Sequence, residues 1–194
     1  MSYRSMVIYP LLNPDAFVYR SEGVSKENPI RDRLIDMNGG NDSFCNWSSN
    51  GRGVSLERNS SIGFERRKKY ENSNDIFNGS PEMFSGNMPE SEPELCALFD
   101  DILKYQNVKV FLQIAQGKNL LYSPGICEKR PGGSRIVKSV QRISGLKRKN
   151  EEIVESGIVD SIAVRFGIRS LKVISEQVDL KYMRDILYSL PILV

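Results

Sequence analysis

Apolar residues are spread so unevenly along this 194-residue chain that it reads as a folded half behind a polar half. Residues 38–90 contain the runs NGGNDSFCNWSSNGRGVSLERNSS and ENSNDIFNGSPEMFSGNMPE. Apolar side chains are isolated there, and no helical or alternating period lasts two turns. Such a segment buries too little to offset a chain entropy of about 1–2 kcal/mol per residue. It is therefore expected to be a flexible Asn/Ser/Gly-rich region. Residues 1–37 are expected to add only short elements: brief strands or docking segments at 6–12 and 16–19, and one or two helical turns at 30–37.

Residues 91–194 are expected to fold. Leu95, Leu98, Phe99, Ile102 and Leu103 recur at helical spacing, with Ser91 placed to cap and Pro93 in the first turn, which predicts a helix over 92–105. Val108, Val110, Leu112 and Ile114 alternate. A turn at 116–119 and a return strand at 120–123 then complete a β-hairpin. Residues 124–133 read as a loop. A helix follows from Ser134 to Lys149, with Ile136, Val140 and Ile143 on one face.

Residues 158–175 fit two periods. Ile162, Val164, Phe166 and Ile168 alternate as in a strand, whereas Ile158, Val159, Ile162, Ala163 and Phe166 share a helical face. β-Branched enrichment favours the strand. A helix-turn-helix spacing of Ala163, Gly167 and Val173 competes with it. A last helix is expected from Asp179, striped by Leu180, Met183, Ile186, Leu187 and Leu190 and stopped by Pro191. The expected fold class is α+β: a small C-terminal domain of about three helices with a short antiparallel β element, preceded by a long, largely irregular polar N-terminal arm.

The chain has no histidine. Ser–His and Cys–His nucleophile pairs and imidazole metal sites cannot be built from it. Its three cysteines, Cys45, Cys96 and Cys127, form no CxxC. No GxGxxG, GxxxxGK[ST], HExxH or GxSxG occurs. Asp100 and Asp101 are adjacent on a helix and diverge by about 100°. The expectation is a non-enzymatic protein with no catalytic residue, metal or cofactor.

Charge supplies the candidate site. The net charge is +3, and residues 91–194 carry an excess of four positives. Lys129, Arg130, Arg135, Lys138, Arg142, Lys147, Arg148 and Lys149 span a stretch without an acid. Arg135, Lys138 and Arg142 would share a helix face, and Pro131-Gly132-Gly133 would bring backbone amides to a helix start. Both suit phosphate groups. Arg66, Arg67, Lys68 and Lys69 form a second basic run, suited to targeting or a secondary contact.

The expected function is nucleic-acid binding by a regulatory or accessory protein. The alternative is an adaptor, such as a small viral accessory protein, that self-associates or binds a protein partner. No stretch approaches 18 apolar residues and no secretion signal is readable, so an intracellular location in cytoplasm or nucleus is expected, without a membrane span.

Overall fold

The computed structural model describes residues 5–149, 157–176 and 184–186. Two units divide the chain, Val7–Asp101 and Ile102–Val194 with Met1–Met6.

The first unit is ordered where a polar arm was expected. Asn13 accepts from the Ala16 N–H at 3.1 Å, and Pro14 and Asp15 occupy the first turn, so helix α1 (Pro14–Glu22) starts with a complete cap. Helix α2 (Arg31–Met37) buries Leu34. Between and after these helices the core is aromatic. Tyr19, Phe44 and Trp47 are all buried, and the Phe44 and Trp47 rings meet edge to face at 5.5 Å. Trp47 also donates its indole N–H to the Ser49 carbonyl at 2.7 Å. Helix α3 (Phe64–Ser73) follows.

Helix α4 (Pro93–Leu103) buries Leu95, Leu98, Phe99 and Ile102 of the expected stripe, while Leu103 is exposed. Ser91 does not cap it as expected. Its hydroxyl donates to Glu92 and accepts from Asn59. The irregular arm is thus overturned. Three scattered rings and a set of buried polar side chains order a segment that has no periodicity.

The second unit is built on a mixed four-stranded sheet ordered β1-β4-β2-β3. Its strands are β1 (Val110–Gln116), β2 (Leu120–Tyr122), β3 (Lys147–Lys149) and β4 (Arg169–Ser175). The expected hairpin is not formed. β4 lies between β1 and β2, parallel to β1 and antiparallel to β2, while β3 runs parallel to β2. β4 wins the central place because Leu171 and Val173 bury one face while Ser170 and Lys172 are buried on the other.

Helix α5 (Gly125–Glu128) precedes α6 (Gly133–Ser144). Ile136, Val137 and Val140 of α6 join Leu121, Leu146, Leu171, Val173 and Ile186 in one core. α6 is shorter than expected. Gly145, at φ +68°, ends it and donates to the Gln141 carbonyl, and residues 147–149 turn into β3. The 158–175 stretch resolves as helix then strand. α7 (Gly157–Arg165) buries Ile158, Val159, Ile162 and Ala163, and Gly167 at φ +72° redirects the chain into β4. Strand preference of the β-branched residues yields to that buried helical face, and a second helix is absent where a helix-turn-helix needs one. The result is an α/β arrangement with a mixed sheet, in place of the α+β class with an arm. The helix expected from Asp179 lies mostly outside the described residues, which include 184–186 as helix.

Trp47 is the sole tryptophan, so its emission reports the first unit directly. Native emission is expected to be blue-shifted and to move red in a single step with denaturant. Trp47→Ala is expected to cost about 3–5 kcal/mol in the same titration.

Candidate functional site

Among the described residues a dense cluster of buried polar side chains lies in the first unit, on the loops around residues 48–63 and 80–94. Asn50 begins it. Its side-chain oxygen accepts from the Arg52 and Val54 N–H groups at 3.0 and 3.1 Å, which folds residues 50–54 into a side-chain-stabilised turn. Gly53 takes φ +75° there and donates to the Asn50 carbonyl. The Asn50 amide N–H donates to Glu92 at 2.7 Å.

Asn59 ties the next segment. It donates to the Ser85 and Met88 carbonyls at 2.8 and 2.9 Å and accepts from the Glu92 N–H at 3.2 Å. Arg67 closes the loop between them. Its guanidinium donates to the carbonyls of Arg58, Ser60 and Ile62 at 2.8, 2.6 and 2.7 Å, a use of the planar fork that no other side chain can copy. Burial, with Arg58 and Arg66 nearby, pushes the Arg67 guanidinium down to about 10, so it remains charged at neutral pH.

The buried acids are matched. Glu71 accepts from the Ser85 N–H at 2.7 Å and from Lys68 Nζ at 2.8 Å. Lys68 also donates to the Gly86 carbonyl and stands 4.8 Å from the centre of the Phe84 ring. Glu92 is bonded by Asn50 and Ser91, and Arg52 Nη1 lies 3.8 Å from it. Arg58 is buried, with its Cζ 5.6 Å from the Tyr70 ring centre. Arg52 differs from these: its side chain is 64% exposed. The cluster therefore presents one cation to solvent from a loop fixed by buried hydrogen bonds. Such a cation suits a carboxylate.

The basic residues singled out in the sequence are spread over different tasks. Arg135, Lys138 and Arg142 are exposed on α6, away from its buried Ile136, Val137 and Val140. Lys129 and Lys147 are exposed as well. Arg130 instead donates to the Ala163 carbonyl at 3.2 Å near the end of α7, and Arg148 pairs with Glu128. Lys149 lies in β3, in register with Tyr122. The Pro-Gly-Gly turn serves packing: a Cβ on Gly133 would collide with the Cys127 carbonyl, so glycine lets α5 and α6 approach. In the other run Arg66 and Lys69 are exposed, while Arg67 and Lys68 belong to the buried cluster.

Sequence reasoning missed Asn50, Arg52, Arg58, Asn59, Glu71 and Glu92. The Asn-Gly-Arg-Gly turn signal and the acid–proline–acid start of α4 were the available clues.

The sequence model of the zinc carboxypeptidase family matches residues 3–166, well over half of the chain, and the chain belongs to that family. Among curated proteins it is similar to γ-D-glutamyl-L-diamino acid endopeptidase 1 of Lysinibacillus sphaericus. Identity is 23% over 141 residues, covering 73% of this chain and 34% of that one. The chain thus spans about a third of this relative's length. Among solved structures it is similar to the murein-tripeptide amidase MpaA of Escherichia coli O157, with a TM-score of 0.45 and 17% identity. That match covers 74% of this chain and 59% of the other.

Membership of a peptidase family overturns three expectations: a non-enzymatic protein, a nucleic-acid-binding regulator, and a viral accessory adaptor. The charge run that suggested nucleic-acid binding is in physical terms an exposed helix face plus arginines spent on intramolecular bonds.

The family name implies zinc. The open zinc site of a carboxypeptidase uses two histidines and a glutamate. This chain has no histidine, and among the described residues no group of three Cys, Asp or Glu converges. The residues present do not fit that ion. Among the described residues no helix is long and apolar enough to cross a membrane.

Two outcomes are expected. Arg67→Ala leaves three carbonyls without their donor and should lower stability by about 3 kcal/mol, with Arg67→Lys recovering only part of it. Thiol titration of the native protein with a disulfide reagent should count Cys45 and Cys96 quickly. Cys127 should react only on unfolding, because burial pushes its thiol up.

Proposed function

We propose that this chain serves as a peptidase or amidase directed at short peptides with free carboxylates, of the γ-D-glutamyl-L-diamino acid kind named for its curated relative. The family match over residues 3–166 carries this reading. The cluster around Asn50, Asn59 and Glu92 lies inside that match and supports it. A γ-linked glutamyl residue keeps its α-carboxylate free, and Arg52 offers an exposed guanidinium on a loop whose backbone is already fixed. Preorganisation of this kind lets a charge-assisted pair contribute to binding without first ordering the loop.

No hydrolytic step is routed through zinc here, because the chain does not supply the donors. Its own residues contribute recognition. Asn50 holds the 50–54 turn, Glu92 steadies the Arg52 side chain from below, and Arg67 keeps the chain from Arg58 to Ile62 in place.

The test uses a synthetic γ-D-glutamyl-L-lysine peptide, followed by calorimetry for binding and chromatography for cleavage. Binding of the peptide is expected, since recognition is what this chain's own residues supply. Arg52→Ala should weaken binding roughly tenfold while leaving stability within about 0.5 kcal/mol, since its pair with Glu92 is long and its side chain exposed. A protein that neither binds nor cleaves this peptide contradicts the reading.

A further inference from the structure

A zinc ion in a protein draws on imidazole nitrogen, thiolate sulfur and carboxylate oxygen. Each source can be followed through this chain. Imidazole is absent from all 194 residues, so no rearrangement of the backbone can supply it.

Sulfur is limited to three thiols. Cys45 and Cys96 are exposed, and the Cys96 thiol lies against the Glu90 carbonyl at 3.2 Å. Cys127 is buried, accepts from the Ser170 N–H at 3.2 Å and points its own S–H at the Ile168 carbonyl, which favours the neutral thiol. A neutral thiol is a poor ligand. None of the three belongs to a converging group of three donors among the described residues.

Carboxylates remain, and the two most buried among the described residues are already committed. Glu71 is held by Lys68 and the Ser85 N–H, and Glu92 by Asn50 and Ser91. Recruiting either to a metal would strip a buried network of its partners. An all-oxygen set also suits magnesium, calcium or manganese better than zinc.

We infer that this polypeptide, although a member of the zinc carboxypeptidase family, holds no zinc ion through its own side chains. Zinc-dependent hydrolysis requires donors that these 194 residues do not supply. The inference rests on family membership and on the donor inventory, not on the choice of peptide substrate.

The experiment is a metal count on the folded 194-residue chain. The protein is incubated with zinc chloride, dialysed, and its zinc measured by mass spectrometry. A parallel sample is titrated with zinc chloride against a chromogenic chelator while its thermal midpoint is followed. Zinc below about 0.1 per chain, with an unmoved midpoint, is expected, because an ion bound only by the folded state would stabilise it. About one zinc per chain, or a midpoint that rises with zinc, overturns the inference. The same samples separate this idea from the substrate reading. Peptide binding that is indifferent to chelator supports it, and peptide binding that needs zinc overturns it. Absence of any peptide binding sinks the substrate reading alone and leaves the metal count to decide.

Discussion

Asn59 and Arg67 together hold the polar half of this protein. One carboxamide bonds two carbonyls and an N–H from residues 85–92, and one guanidinium bonds three carbonyls from residues 58–62. The chain from Asn50 to Glu92 holds one ten-residue helix as regular structure, so side-chain bonds such as these, with the buried Val54, Leu56, Phe64 and Phe84, order the rest. Buried polar groups are costly unless paired. A set that is almost wholly paired specifies one arrangement of the loops it joins. Such an arrangement can present Arg52 in a fixed place.

The two units differ in what orders them. In the second, a central strand is buried on both faces and α6 lays Ile136, Val137 and Val140 onto the sheet. That is ordinary apolar packing, and it left traces in the sequence: the α4 and α6 stripes were legible because a 3.6-residue period is a local signal. The pairing of β1 with β4 was not. Their registered residues are more than fifty positions apart, and alternation at 108–114 says that a strand exists without saying which strand lies beside it. Residues 158–166 misled for a related reason. The alternation of Ile162, Val164, Phe166 and Ile168 overlaps a helical face containing Ile158, Val159 and Ile162, and strand preference then broke the tie in the wrong direction for 158–165.

The candidate site was the least legible part. Asn, Ser and Gly are the residues of flexible segments. They are also the residues that turn a backbone tightly and bond it with short side chains. Asn50 and Asn59 do the second. Composition cannot distinguish the two uses, because it counts residues and not partners. Arg67 shows the same limit, since inside Arg66-Arg67-Lys68-Lys69 it reads as one of four solvated charges, yet its side chain is buried. The absence of histidine limits the chemistry that the side chains supply, and the expectation of a non-enzymatic protein drawn partly from it is overturned by the family match. Family membership and chemistry are separable: the family's sequence model matches residues 3–166 while imidazole donors are absent from these 194 residues.

Hydrogen exchange at single amides tests this account most directly. Val54 donates to Asn50, Ser55 to the Phe84 carbonyl, Ser85 to Glu71 and Glu92 to Asn59. If buried side-chain bonds order the polar half, these amides are protected to a common level and lose protection together in Arg67→Ala. Exchange at the rate of an unstructured chain across residues 50–60 and 85–92 would contradict it, and would return this segment to the flexible arm that its composition suggests.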